Sequence, residues 1–334
     1  MSPAISLESY RAARQRAAAI DRSDRGRLVV SGADRRTYLH GLLTNDITAL
    51  TAGSGCYAAY LTPQGRMIAD LYVYELGDVL LVIVEGVVKE TVLAKLDQFI
   101  FSEEVQLGDV TGTFAQIAVV GPDAAAAIGD LVDGVDEAML RPLIEHGNVR
   151  AAFGGQPAIV TRVADTGEPG FDVFVERGLS QRFQDALSSR GIGMLDEATA
   201  DALRIEAGVP RFLRDMDDQT IPLEAGITDR AISLTKGCYV GQEVIIRVLH
   251  RGHGRVARRL VGLMIDGDDA PSAGAAIVDR ERDIGVVTSS TLSPAIGKPI
   301  ALGYVHRDFA APATAVSVGG VRAVVSELPF VRHA

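Results

Sequence analysis

Beyond about residue 256 the sequence breaks into short apolar runs, at 258–265, 275–278, 284–290, 301–305 and 321–327, with Gly, Pro and Asp between them. Runs this short, each followed by turn-forming residues, suit strands rather than helices. Several in succession need a sheet closed or folded onto a second one to hide their apolar faces. Residues 251–334 are therefore expected to form a small C-terminal β-barrel, with a boundary near 250–256.

The remainder alternates the two periodicities. Apolar residues recur at helical spacing over 6–19, 33–43, 87–101, 179–189 and 197–208, and an alanine-rich helix is expected from Pro122. Ser6 is a natural N-cap. Residues 55–60 and 66–75 read as paired strands joined by Thr62-Pro63-Gln64-Gly65, which carries turn chemistry. Residues 79–84 are continuously apolar, as in a central strand. Further strands are expected at 27–32, 105–107, 114–121, 149–153, 158–163 and 171–175. The order implies an α+β fold, with two interleaved α+β units in residues 1–250: roughly 1–50 with 114–250, and 51–113.

Charge and composition narrow the partners. A net charge of -10 repels phosphate backbones, and without tryptophan the chain lacks an aromatic platform for single strands, so neither DNA nor RNA is an expected partner. No apolar run reaches membrane-spanning length, and the first residues lack the apolar segment of a secretory signal. A cytoplasmic monomer with reduced thiols is expected. The two cysteines, Cys56 and Cys238, form no CxxC pair, and the six histidines show no metal spacing.

Four segments carry candidate chemistry. Residues 234–248 place Cys238 between Gly237 and Gly241, two positions after Lys236, whose charge would favour a thiolate. The following Val244-Ile245-Ile246 reads as a buried strand or the start of another core element. Residues 166–172 pack Glu168 and Asp172 into one glycine-rich turn, where a carboxylate can accept two N–H bonds from a heterocycle edge. Arg204 lies near a helix end, where its planar fork could clamp a carboxylate. Asp70 opens an apolar strand, a setting that raises a carboxyl pKa toward acid–base use. A basic run of Arg247, His250, Arg251, His253, Arg255, Arg258 and Arg259 could steer a polyanion.

Together these segments resemble the YgfZ-type folate-binding proteins, members of the superfamily of the glycine-cleavage T-protein, an aminomethyltransferase. Lys236-Gly237-Cys238-Tyr239-Val240-Gly241-Gln242-Glu243 is similar to their signature. The superfamily segments follow in order: residues 30–35 with 43–46, 63–71, 167–172, 203–210 and 221–226. The resemblance implies a three-lobed cloverleaf around a central opening for tetrahydrofolate or a one-carbon derivative, with no permanently bound metal. Glu168 would hold the pterin edge, with Arg204, Lys236 and Tyr239 as further cofactor contacts. Cys238 and Asp70 would be the chemically active groups. Asp70 matches the region of the T-protein's catalytic carboxylate in part, since that pattern has paired acids where this chain reads Ala69-Asp70, and two departures are visible: Val84-Glu85-Gly86 where the T-protein has an asparagine motif, and Cys238 where it lacks a thiol. The leading expectation is an accessory factor for assembly or repair of iron–sulfur clusters in client proteins, with Cys238 at the folate cavity's rim. One cysteine cannot hold a cluster alone. The alternative is a folate-dependent aminomethyltransferase or demethylase using Asp70.

Overall fold

The computed structural model describes residues 5–250 and 254–332. The chain folds into two antiparallel sheets, each with helices on one face, followed by a barrel. The first six strands are β1 (Ala18–Asp21), β2 (Gly26–Ser31), β3 (Gly55–Leu61), β4 (Met67–Glu75), β5 (Leu80–Val84) and β6 (Gln106–Asp109). Five of them make one sheet in the order β3-β4-β5-β2-β6. Side chains alternate across a strand. Leu28 and Val30 of β2, Leu71 and Val73 of β4, and Val82 and Val84 of β5 thus share one face, under the helices Arg35–Leu42 and Lys89–Asp97.

The second sheet adds β7 (Phe114–Val120), β8 (Asn148–Phe153), β9 (Gln156–Val163) and β10 (Gly170–Glu176) to β1, in the order β1-β7-β10-β9-β8. Ile117, Val119, Val173 and Val175 lie under the helices Ala124–Gly129 and Ser180–Ser188, the latter contributing Phe183 and Leu187. The uncovered faces of the two sheets meet around Tyr74, Leu81, Ile83 and Phe174.

The C-terminal strands are β11 (Arg258–Ile265), β12 (Ala276–Asp279), β13 (Arg282–Ser293), β14 (Lys298–His306), β15 (Ala315–Val318) and β16 (Val321–Ser326). They close into a barrel in the order β11-β14-β13-β12-β15-β16. Its interior holds Leu263, Ile277, Val287, Ala301, Val305, Ala323 and Val325. The mixed α+β class and the C-terminal barrel are as expected from the sequence.

Three details differ. Strand β2 pairs with β5 and β6, so residues from about 26 belong with the sheet that the sequence placed at 51–113. The first helix, Leu7–Gln15, is capped by Ser6 but stops short of residue 19, because Ala18–Asp21 is claimed as the edge strand beside β7. Val244-Ile245-Ile246 is not a strand: it lies in the helix Gln242–His250. Ile245, Val248 and Leu249 recur at helical spacing there and pack on Tyr57, Leu61 and Tyr239, which outweighs the β preference of the run. Of the basic run, Arg251 and His253 lie outside the described residues, and Arg258 pairs with Glu224. No helix among the described residues is long and apolar enough to cross a membrane.

Candidate functional site

Where the two sheets approach the segment leading into the barrel, a narrow cleft of about 50 Å3 opens. The first sheet supplies Asp70, Tyr72, Ile83 and Val84, with Glu85 just beyond. Arg25 and Asp165 come from loops, and Arg204 with Val209 to Phe212 closes the third side. Arg25, Asp165, Arg204 and Arg211 also line a second, more polar cleft of about 330 Å3. The two therefore form one continuous groove.

Asp70 reaches this groove because β4 alternates: Ala69 and Leu71 enter the core, so Asp70 and Tyr72 face the other way. The Tyr57 hydroxyl donates to Asp70 Oδ2 at 2.7 Å. Burial raises the Asp70 carboxyl to about 6, with the Tyr57 bond opposing and the charge of Glu85 adding. Tyr57 was not picked out from the sequence. The signal was present: β3 and β4 pair Ala59 with Asp70 and Tyr57 with Tyr72, so Tyr57 is the diagonal neighbour of Asp70 on the same face.

Charge around Asp70 is arranged in pairs. Glu85 meets Arg211 two-pronged, both contacts at 3.2 Å. Asp165 accepts from Arg22 at 2.8 Å and has Arg25 at 3.8 Å. Burial works against its ionisation, but the two arginines outweigh it and hold Asp165 below the usual carboxylate range. These partners come from segments far apart in sequence, and no local motif announces them.

Arg204 borders the groove, yet its guanidinium is already engaged. It donates to Asp201, to the Val209 carbonyl at 3.1 Å, to Asp215 at 2.8 Å and to Ser289 of the barrel at 2.7 Å. Glu168 is buried off the groove wall, with Arg14 of the first helix at 2.9 Å. Arg14 also contacts the fully buried Glu206, which accepts from Tyr10 at 2.6 Å.

The cysteine signature lies elsewhere, and none of its residues lines the groove. Gly241 has φ +83°, and a Cβ there would sit 2.5 Å from the Thr62 carbonyl. Glycine is needed because the loop packs flat on the β3–β4 turn. Lys236 donates to the carbonyls of His40, Leu43 and Asn45, gathering the end of the helix Arg35–Leu42. Burial pushes its pKa down to about 8. Tyr239 is buried beneath it, with the ammonium 5.0 Å from the ring centroid. Cys238 is exposed, whereas Cys56 is buried and its thiol pushed up to about 12 by desolvation. Since the thiolate is the reactive form, one thiol should react with Ellman's reagent in the native protein and a second only in guanidinium. Two fast thiols in the native state would contradict this packing.

Comparison with known proteins gives a consistent result. The family model of the GCVT N-terminal domain matches residues 2–236, and that of the glycine cleavage T-protein C-terminal barrel domain matches 258–332. An aminomethyltransferase of Nostoc sp. is 32% identical over 97% of this chain and 87% of its own. One from Thermosynechococcus vestitus is 32% identical over 98% and 88%. The crystal structure of glycine cleavage system aminomethyltransferase T from Bartonella henselae superposes with a TM-score of 0.88, at 25% identity, over 98% of this chain and 90% of that one. These relatives overturn the expected role as an iron–sulfur accessory factor. The similarity runs nearly end to end and leads to aminomethyltransferases, whereas that expectation rested on one short cysteine signature.

Proposed function

The chain belongs to the glycine-cleavage T-protein family, and on that premise we propose that it is a tetrahydrofolate-dependent aminomethyltransferase with Asp70 as its acid–base group. One observation carries the reading. Asp70 stands in the groove between the three parts of the fold, anchored at one oxygen by Tyr57, with its pKa near 6.

The residues present fit a reduced pteridine. Ile83, Val209, Phe212 and the Tyr72 ring offer apolar surface for a flat heterocycle. Asp165, kept ionised by its arginines, can accept ring N–H bonds. Arg25 and Arg211 suit the carboxylates of a glutamyl tail. Tetrahydrofolate, when bound, supplies the nitrogen that takes up the one-carbon unit. Tyr57 fixes the Asp70 carboxylate in orientation, so proton exchange falls to Oδ1. Ionised above about pH 6, Asp70 takes the proton displaced during transfer and can return it to the departing amine. Glu85 is engaged at both oxygens by Arg211, whereas Asp70 keeps Oδ1 for proton exchange.

The aminomethyl donor on this reading is a lipoyl carrier protein, the glycine cleavage H-protein. The signature Lys236–Glu243 supports a YgfZ-type branch within the superfamily, and the transfer reading does not depend on it. Purified protein given tetrahydrofolate and aminomethyl-loaded carrier is expected to release ammonia catalytically. If calorimetry shows tetrahydrofolate bound but no ammonia appears, the transfer reading fails and folate binding stands.

A further inference from the structure

The ring that carries the Asp70 anchor is itself held. Tyr57 is buried, and its ring lies 5.1 Å from that of Tyr72, its partner across β3 and β4. The guanidinium of Arg230, in the helix Thr228–Ala231, sits over the Tyr57 ring at 5.4 Å from the centroid. Asn45 Nδ2 donates to the carbonyls of Tyr57 at 2.8 Å and Arg230 at 3.1 Å. Strand and helix are thereby tied where ring and cation meet. Arg230 lines neither cleft of the groove, so it reaches the chemistry only through Tyr57.

Arg230 is aimed from the side of the second sheet. Its Nη2 donates at 2.6 Å to Glu145, in the loop before β8. The next residue, His146, has φ +66°, a conformation that a residue with a side chain keeps only where its surroundings impose it. Its buried ring lies 5.6 Å from that of Tyr72, with Nε2 3.6 Å from Glu145. Burial drives the imidazole pKa down to about 4 against the pull of Glu145. His146 is therefore neutral at neutral pH, and the charge of Glu145 answers to Arg230.

We propose that Arg230 is a positioning residue for the transfer reaction: held over the Tyr57 ring by Glu145, it strengthens the bond that the Tyr57 hydroxyl donates to Asp70. This rests on the reading of Asp70 as the acid–base group. A cation over a phenol ring draws on its electron density, and the O–H becomes the stronger donor. Burial raises the Tyr57 phenol well above its usual range, and Arg230 draws it back. A stronger donor favours the ionised carboxyl. The other charges facing Asp70 are Glu85, which raises its pKa, and Arg25, which lowers it. Glu85 is fixed by Arg211, and Arg25 lies over the Tyr72 ring at 6.0 Å, beside Asp165. Neither depends on Arg230 for its place.

NMR titration of the intact protein with isotope-labelled aspartate carboxyls reads Asp70 directly, its signal assigned by its loss in Asp70→Asn. Arg230→Gln is expected to raise the Asp70 midpoint by about half a unit or more, the scale of one cation–ring contact. The acid limb of the kcat/KM profile should move up in pH by the same amount. Arg230→Lys keeps a cation and should recover most of the shift. In a Tyr57→Phe background, Arg230→Gln should move the midpoint no further, because the hydroxyl that carries the effect is gone. Glu145→Ala gives a second route if Arg230→Gln fails to fold. Loss of a negative charge would by itself lower the midpoint, so a rise there reports the release of Arg230 from the ring. An unmoved midpoint in Arg230→Gln, an equal shift without the Tyr57 hydroxyl, or a fall in Glu145→Ala would each overturn the proposal. If the midpoints move as expected but the parent protein releases no ammonia, the transfer reading fails and the coupling of Arg230 to Asp70 stands.

Discussion

Replacing Asp70 by asparagine is expected to lower kcat/KM for aminomethyl transfer by about 10²-fold or more while tetrahydrofolate binding persists, the usual scale for removing a general acid–base group. Asparagine keeps the volume and can still meet the Tyr57 hydroxyl, so what is lost is the proton. In the unaltered protein kcat/KM should fall as pH drops below about 6, where the carboxylate is protonated. The variant should lose that inflection. Stability should move the opposite way to activity. The carboxyl titrates at about 6 when folded against 3.8 when unburied. Between these values the native state holds more protons, so this contribution to stability is fully present below about pH 3.8 and lost as pH rises through about 6. The asparagine variant cannot ionise. Thermal unfolding should show it gaining on the parent between pH 4 and pH 8. Full turnover by the variant, or a pH profile that keeps its inflection, would remove Asp70 from the chemistry.

The groove was partly legible in the sequence. Asp70 and Arg204 both reach it, Asp70 because strand alternation fixes which way a residue points. Their partners were not legible. Asp165, Arg25 and Arg211 act through pairing across loops, and nothing local distinguishes them from solvated charges. Glu168 looked like a groove carboxylate because its turn has the composition of a binding loop. Its observed partner Arg14 is on a helix more than a hundred residues earlier. In the fold, helix and strand patterns were readable because one side of each element is buried. The assignment of β2 was not, because a six-residue strand carries no mark of its neighbours. Likewise β15, only four residues long, passed unnoticed although the barrel closes through it.

Arg204→Met is expected to destabilise the protein by about 3–5 kcal/mol, the range for removing one partner of a buried ion pair, with a smaller effect on tetrahydrofolate affinity. The sequence suggested a ligand clamp; the geometry is that of a strut. The side chain joins the helix Glu197–Glu206 to Asp215, and through Ser289 to the barrel. The Asp215 carboxylate is fully buried and also accepts from the Arg211 amide at 3.0 Å and the Thr288 hydroxyl. Without Arg204 its charge is left with neutral donors alone, which do not offset desolvation. Methionine retains much of the packing, so the loss read from a urea titration reports mainly on the stranded charge. Adding Asp215→Asn to Arg204→Met should therefore recover part of it, since removing both charges of a buried pair costs less than removing one. Lysine should not substitute, because one ammonium cannot reach Val209, Asp215 and Ser289 from a planar fork's geometry. A large rise in the tetrahydrofolate Kd with an unchanged urea midpoint would reverse the assignment and make Arg204 the clamp.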